Sequence, residues 1–291
     1  MEHKAGFVNI IGKPNAGKST LMNALVGENL SIITSKAQTT RHRIMGIVNG
    51  EDFQIVYSDT PGIINPSYKL QKSMMNFVEG AFTDADIFLL IIDPTDDSDY
   101  SSIIAKIKKF KSPVVVVINK IDLLNEQLVS QHVDKWLEHF PDSPIIPASA
   151  LHKFNLTPIF NEIMDMLPVN PPYYPKDELT DRPVRFFVSE IVREKILLQY
   201  KQEIPYSCEV VVTDYEEGNN LDKIRAVIYV THESQKGIII GKGGSALKRL
   251  GTEARKEIED FIQKKVYLEL FVKVMKDWRD DYNSLKQFGY E

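Results

Sequence analysis

The 291-residue sequence is poor in the features that would point away from a water-soluble enzyme or binding protein. One cysteine, Cys208, leaves no partner for an internal disulfide, which fits a reducing compartment and a buried strand position. No apolar run is long enough to cross a bilayer: the longest, Ile87 to Ile92 and Val114 to Ile118, fall far short of the roughly 20 residues a spanning helix needs. The start, Met1-Glu2-His3-Lys4, carries no signal-peptide pattern, and a protein not integral to a membrane is expected. A net positive charge is also lacking, since 35 Lys+Arg face 40 Asp+Glu for a formal net charge of −5, so any nucleic-acid surface has to be a local patch. No internal repeat or low-complexity segment occurs. Hydrophobic residues make up 43%, enough for two domains each burying its own core.

Against that background one octapeptide stands out, Gly12-Lys13-Pro14-Asn15-Ala16-Gly17-Lys18-Ser19, which fits GxxxxGK[ST]. Two glycines five apart let the backbone fold back so that successive N–H groups face one concavity suited to phosphate oxygens. Lys18 supplies a charge for the β- and γ-phosphates, and the Ser19 hydroxyl is placed to ligate Mg²⁺. The apolar strand Phe7–Ile11 precedes the loop, and a helix follows whose residues 21, 22 and 25 share a face, adding a helix N-terminus to the phosphate site.

Apolar runs alternate with helical patterns as far as Leu167, the signature of a mostly parallel sheet covered on both faces. Six strands are predicted: Phe7–Ile11, Ile44–Val48, Phe53–Ser58, Ile87–Asp93, Val114–Asn119 and Ile145–Pro147. The turn Asn49-Gly50-Glu51-Asp52 makes one strand antiparallel at an edge. Crossover helices are predicted at Gln71–Phe82, Ser101–Phe110, Glu126–Phe140 and Leu156–Leu167. Five prolines between Pro168 and Pro183 read as a stiff linker. Beyond it come a helix Arg185–Tyr200, strands Glu209–Thr213 and Ile224–Thr231, a glycine turn Gly241–Gly244, a helix from Ser245 to about Gln263 and a strand Val266–Val274. The fold class is thus α/β, a Ras-like P-loop domain over residues 1–168 with a six-stranded sheet, a linker over 169–183, and a small α+β domain over 184–291.

Motifs at the strand ends choose the nucleotide. Asn119-Lys120-Ile121-Asp122 is an NKxD pattern, in which the Asp122 carboxylate accepts from the paired N1–H and N2–H donors of guanine. Asn119 ties this loop to the phosphate loop and the base, and the Lys120 stem packs along the ring. Asp59-Thr60-Pro61-Gly62 is a DxxG pattern: the acid holds a Mg²⁺ water and the Gly62 N–H senses the γ-phosphate. In Gln38-Thr39-Thr40-Arg41, Thr40 is preferred to Thr39 as the hydroxyl that completes the Mg²⁺ shell when GTP is bound. Ser149-Ala150 puts the Ala150 N–H near guanine O6. Their order along the chain is that of a translation-factor-class GTPase, in which Mg²⁺, Lys18 and loop amides stabilise charge while water attacks the γ-phosphorus. Many such GTPases carry Gln after the DxxG glycine, but this chain has Ile63, which cannot orient water. Slow or assisted turnover is expected, and Asn15 at this place in the loop resembles the potassium-activated group of GTPases, a likeness that implies a K⁺ ion held where an arginine finger would place its charge.

In the second domain Ile238-Ile239-Ile240-Gly241-Lys242-Gly243-Gly244 before a helix matches the GxxG loop of a KH domain, where missing side chains let a single-stranded backbone lie close. Lys242, Lys248 and Arg249 are the expected phosphate contacts, with Lys236, Arg255 and Lys256 around them. From Lys176 onward, however, 20 Lys+Arg face 21 Asp+Glu, so the basic patch is local.

The combination GKPNAGKS, QTTRHR, DTPG, NKID, IIIGKGG and LELFVKV resembles the Era family of bacterial ribosome-assembly GTPases, from about Phe7 to Gly289-Tyr290. The segments Lys36–Arg43, Ser189–Lys195 and Gly251–Lys256 strengthen the likeness. Ala16 stands where Val is commoner, and the stretches Asp93–Asp99 and Asp214–Asp222 are the places to look for length differences. The resemblance implies GTP/GDP with Mg²⁺, a type II KH domain on the 3′ end of 16S ribosomal RNA, and release of the maturing 30S subunit on hydrolysis. A monomer is expected, and the resemblance also implies a cytoplasmic protein partly peripheral at the inner face of the cell membrane. Two other readings compete: an RNA-binding module in which nucleotide is structural, and a GTPase switch whose KH-like domain docks protein.

Overall fold

A computed structural model describes residues 2–36 and 38–290. Ala37, within the family-like segment Lys36–Arg43, lies outside the described residues. Two compact units divide the chain: residues up to Asn65 with Met74–Asp181, and Pro66–Ser73 with the residues from Arg182 onward.

The first unit is built on a six-stranded sheet of β1 (Lys4–Gly12), β2 (Ile44–Asn49), β3 (Phe53–Asp59), β4 (Ile87–Ile92), β5 (Val114–Ile118) and β6 (Ile145–Pro147), in the order β2-β3-β1-β4-β5-β6. β2 runs antiparallel to β3 at the edge, as the Asn49–Asp52 turn predicts, and every other pairing is parallel. The strands β4 and β5 are buried at every position because helices cover both faces, which is why they read as unbroken apolar runs. The helices α1 (Lys18–Val26), α2 (Lys69–Thr83), α3 (Ser101–Ile107), α4 (Glu126–His139) and α5 (Leu156–Met166) occupy the expected crossovers to within a turn. Parallel strands put β1, β3, β4, β5 and β6 C-terminal ends along one edge, and the four motif loops leave from those ends.

The proline-rich segment is stitched to this sheet. Tyr173 and Tyr174 donate backbone N–H to Gln54 Oε1 at 2.7 and 3.0 Å, and Gln54 Nε2 returns a bond to the Tyr174 carbonyl at 2.8 Å. Ile47 N–H donates to the Leu179 carbonyl at 2.8 Å, Gly46 bridges Thr180, and Met45 N–H reaches Asp181 Oδ1 at 3.1 Å. An edge strand offers unpaired backbone groups, and the segment satisfies them.

The second unit holds α6 (Val184–Gln199), α7 (Ile204–Ser207), β7 (Glu209–Glu216), β8 (Leu221–Val230), α8 (Glu233–Ile240), α9 (Ser245–Ile262), β9 (Lys265–Val274) and α10 (Tyr282–Gln287). Its sheet runs β7-β8-β9, antiparallel then parallel. One core joins Val188, Val192 and Ile196 of α6, Ile224, Ala226 and Ile228 of β8, and Leu250, Ala254 and Ile258 of α9. The run before the glycine loop is a helix, α8, which the sequence pattern did not mark. His232 and Gln235 form a reciprocal capping box there, and that start overrides the strand preference of Ile238-Ile239-Ile240. Cys208 is buried one residue before β7, its thiol donating to the Ile204 carbonyl at 3.0 Å. The tail closes on the same unit: Trp278 Nε1 donates to the Ser207 carbonyl at 3.1 Å, and the Tyr290 hydroxyl to Glu209 Oε2 at 2.8 Å.

Candidate nucleotide site and glycine loop

Residues 12–19 run from the last residue of β1 into the first turn of α1, with Gly17 as the helix N-cap at φ +95°. A Cβ there would stand 2.1 Å from Asn119 Nδ2, so the position excludes any side chain on two counts. Asn15 is exposed, also left-handed at φ +62°, while Ala16 is fully buried. Lys13 turns outward to Ser98 Oγ and lies 4.2 Å over the Tyr100 ring. Lys18 turns back into the loop, and its Nζ donates to the Lys13 carbonyl at 2.7 Å. Burial lowers its ammonium to about 8, with the Asp59 charge opposing.

Ser19, Thr40 and Asp59 arrive from α1, the loop before β2 and the end of β3, and meet at one point. Ser19 Oγ donates to Asp59 Oδ2 at 2.6 Å, Thr40 Oγ1 reaches the same oxygen at 3.2 Å, and the two hydroxyls are 2.8 Å apart. Asp59 Oδ1 is buried and, among the described residues, has no hydrogen-bond partner. Burial pushes this carboxyl above the ordinary carboxylate range, and the Ser19 bond and Lys18 charge pull it back. Two hydroxyls and a carboxylate with a spare oxygen suit a hard, oxygen-seeking cation such as Mg²⁺. Among the described residues no cluster of three His, Cys, Asp or Glu side chains could hold a softer metal. Thr39, the alternative to Thr40, instead bonds Lys36 O and Thr34 Oγ1.

Thr60 Oγ1 donates to the Ile10 carbonyl at 2.8 Å, anchoring the DxxG turn on β1. Gly62 lies so close to the phosphate loop that a Cβ would stand 2.6 Å from Pro14 N, and Ile63 N–H donates to the Gly12 carbonyl at 3.2 Å. The Ile63 side chain packs against the core beneath.

At the base end Asn119 bonds to both neighbouring loops: Nδ2 donates to the Ala16 carbonyl and Oδ1 accepts from Ala150 N–H, each at 2.9 Å. Ser149 Oγ donates to Asp122 Oδ1 at 2.5 Å, so the carboxylate is held from behind. Lys120, left-handed at φ 59°, pairs with Asp93 Oδ2 at 2.5 Å, and Ile121–Leu123 form a short 3₁₀ turn. Sequence reading missed Asp93. Its place immediately after β4, two residues before Thr95, was the available signal.

In the second unit Gly241, Gly243 and Gly244 all have positive φ, and a Cβ on either of the last two would meet nothing within 4 Å. Open space over a glycine turn that caps α9 leaves room for another molecule's backbone. Lys242 in the turn and Lys248, Arg249 and Lys256 further along α9 are exposed, whereas Lys236 and Arg255 are paired with Glu233 and Glu259.

Comparison with known proteins agrees with both halves. A family model described as 50S ribosome-binding GTPase matches residues 7–120, and one described as KH domain matches 203–279. GTPase Era of Staphylococcus haemolyticus is 41% identical over 292 residues, covering 99% of this chain and 98% of that one. A chloroplastic GTPase ERA-like protein of Oryza sativa subsp. japonica is 45% identical over 295 residues, covering 99% of this chain and 70% of that one. A crystal structure of Era in complex with MgGDPNP and nucleotides 1506–1542 of 16S ribosomal RNA superposes with TM-score 0.94 at 40% identity, covering 99% of both chains. A variant of Aquifex aeolicus Era bound to GDP and AlF₄⁻ gives TM-score 0.94 at 41% identity, with the same coverage. Sheet order, strand-end loops and glycine turn thus define a P-loop GTPase domain followed by a KH domain. The chain belongs to the Era family of GTPases.

Proposed function

We propose that this protein is a GTP-hydrolysing switch that binds the 3′ end of 16S ribosomal RNA and the 30S subunit during small-subunit assembly. The observation that carries the switch is the meeting of Ser19, Thr40 and Asp59 beside Lys18. Thr40 belongs to the loop before β2, so a ligand that engages its hydroxyl orders that loop. What supports the RNA half is the likeness, over 99% of both chains, to an Era structure holding that RNA, together with the open glycine turn.

In this reading residues 12–19 cradle the α- and β-phosphates of GTP or GDP, and Lys18 exchanges its bond to the Lys13 carbonyl for phosphate oxygens. Ser19, Thr40 and Asp59 hold Mg²⁺, which when bound neutralises charge on the phosphate oxygens. Gly62 N–H faces the γ-phosphate, and Thr60, Pro61 and Ile63 shape that turn. Asn119, Lys120, Ile121, Asp122, Ser149 and Ala150 form the guanine pocket. Ile63 orients no water, and exposed Asn15 would be the ligand of a K⁺ ion that would supply positive charge beside the phosphates. Faster hydrolysis in KCl than in NaCl, lost in Asn15→Ala, is the expected result; equal rates remove the ion from the scheme. Gly241, Lys242, Gly243, Gly244, Lys248 and Arg249 take the RNA backbone.

Domain limits at 1–168, 169–183 and 184–291, a monomeric state, and a cytoplasmic location partly peripheral at the inner membrane face belong to the same reading. Among the described residues no helix is long and apolar enough to cross a membrane. The test is the affinity of the full chain, loaded with a non-hydrolysable GTP analogue or with GDP, for a single strand copying the 16S 3′ end. Tighter binding of the GTP form is expected. Equal affinities would favour an RNA-binding module with structural nucleotide, and no RNA binding would favour protein docking.

A further inference from the structure

Arg43 follows Thr40 by three residues and immediately precedes β2. Its side chain is 11% exposed and bonds at once to β3, to β1 and to the turn after α2. Nε donates to Ser58 Oγ at 2.6 Å, Nη1 to Asp84 Oδ2 at 2.6 Å, and Nη2 to Asp84 Oδ1 at 2.9 Å and Asn9 Oδ1 at 3.1 Å. Asn9, fully buried inside the apolar strand β1, donates in turn to the Ala81 carbonyl at 2.6 Å and Asp84 Oδ1 at 2.7 Å. A planar guanidinium gripping a carboxylate with two parallel bonds fixes direction as well as distance.

The partners lie at informative places. Ser58 immediately precedes Asp59, and Asn9 lies three residues before Gly12, where the phosphate loop opens. The β2–β3 register begins with Ile44 opposite Asp59 and Met45 opposite Ser58. One side chain therefore joins the roots of the three segments that deliver Thr40, Asp59 and residues 12–19. Three residues span at most roughly 10 Å, so movement at Arg43 reaches Thr40 with little slack. Asp84 is 44% exposed, so solvent screens part of the charge attraction. The constraint the pair places on position remains.

We propose that Arg43 is a positioning residue for the divalent-ion site, setting the Thr40 hydroxyl against Asp59 so that both serve one metal ion in the triphosphate state. This rests on the reading of Ser19, Thr40 and Asp59 as the metal-binding group. Asn9 and Asp84 are the rest of the clamp.

The test uses the full chain with Arg43→Met, Arg43→Lys and Asp84→Asn, and reads release of a fluorescent non-hydrolysable GTP analogue and of fluorescent GDP across a Mg²⁺ titration, with and without chelator. In Arg43→Met the Mg²⁺ concentration that halves analogue release rises about tenfold, the size of effect seen when outer partners of metal ligands are removed. Release in chelator stays at the wild-type rate, and GDP release changes little because Thr40 serves the triphosphate state. Arg43→Lys, which keeps one contact to Asp84, falls between, and Asp84→Asn follows Arg43→Met. Wild-type Mg²⁺ dependence in Arg43→Met and Asp84→Asn overturns the proposal, as does faster release of both nucleotides in chelator. If Arg43→Met does not fold, the Lys and Asn variants decide the matter by the same readout. Asp59→Asn separates the two levels: wild-type Mg²⁺ dependence there sinks the metal site itself, while a loss there with none in the Arg43 variants sinks the clamp alone.

Discussion

Asn119 hangs from Ala16: its Nδ2 donates to the Ala16 carbonyl at 2.9 Å while its Oδ1 accepts the Ala150 N–H at the same distance. One buried amide therefore fixes the phosphate loop, the NKxD loop and the loop after β6 relative to one another. Asn119→Asp replaces the donor with an acceptor facing a carbonyl, leaving a buried repulsion in place of a bond. An unmet buried polar group costs about 1–3 kcal/mol, so GDP affinity is expected to fall between about tenfold and a hundredfold. Calorimetric titration with GDP checks this, and an unchanged Kd would mean that the loops hold their places without Asn119.

Asp122 is preloaded rather than free, since Ser149 Oγ donates to Oδ1 at 2.5 Å. Asp122→Asn puts an amide where guanine needs an acceptor for both N1–H and N2–H. Preference is expected to move to xanthine nucleotides, whose carbonyl at that position accepts from the new amide. Competition of XDP and GDP for the variant measures it. Retained GTP affinity would remove Asp122 from base recognition.

What could be read from the sequence was whatever lies close together along it. The phosphate loop, DTPG and NKID are contiguous, and β4 and β5 announce their double coverage by carrying no polar residue. The Arg43 clamp could not be read, because Asn9, Arg43, Ser58 and Asp84 meet only after the sheet forms. Asn9 inside Phe7–Ile11 was its one trace, a polar residue where burial demands a partner. The helix α8 was hidden by three isoleucines, whose local preference for strand yields to a cap at His232 and burial of Ile239. The prolines of residues 169–183 read as a stiff linker; the backbone bonds that part of it makes to the β2 edge depend on where β2 lies, which composition does not encode.

Asp222 opens a separate line, on stability. It is 3% exposed and accepts from Lys264 Nζ at 2.6 Å, Gly218 N–H at 3.1 Å and the Tyr215 hydroxyl at 3.0 Å, closing the β7–β8 turn and joining it to the start of β9. Burial acts to raise its carboxyl, but the Lys264, Gly218 and Tyr215 bonds outweigh it and hold the group below the ordinary carboxylate range. A carboxyl lowered by folding contributes stability above its unfolded value near 4, and that contribution is lost as pH falls through the lower folded value. Asp222→Asn is expected to destabilise the second unit by about 2 kcal/mol at pH 7, with the gap to wild type narrowing below pH 4. Urea unfolding of the full chain, read at Trp278 in a Trp136→Phe background, gives the comparison. A gap independent of pH would mean that charge plays no part.

Gly243 separates nucleotide from RNA. Its φ of +59° suits Asn and Asp better than other side chains, and a Cβ there meets nothing within 4 Å, so Gly243→Asp and Gly243→Asn should both fold. They differ in one charge at the turn that carries Lys242 and leads to Lys248 and Arg249. Contacts to phosphate dominate such affinities and weaken with salt. Gly243→Asp is therefore expected to weaken binding to the 16S 3′-end strand more than Gly243→Asn, to reduce the salt dependence, and to leave RNA-free GTP hydrolysis at the wild-type rate. Bulk alone would give the two variants the same loss, placing the strand against the turn but its phosphates elsewhere. Wild-type RNA affinity in both would take the glycine turn out of the RNA surface altogether.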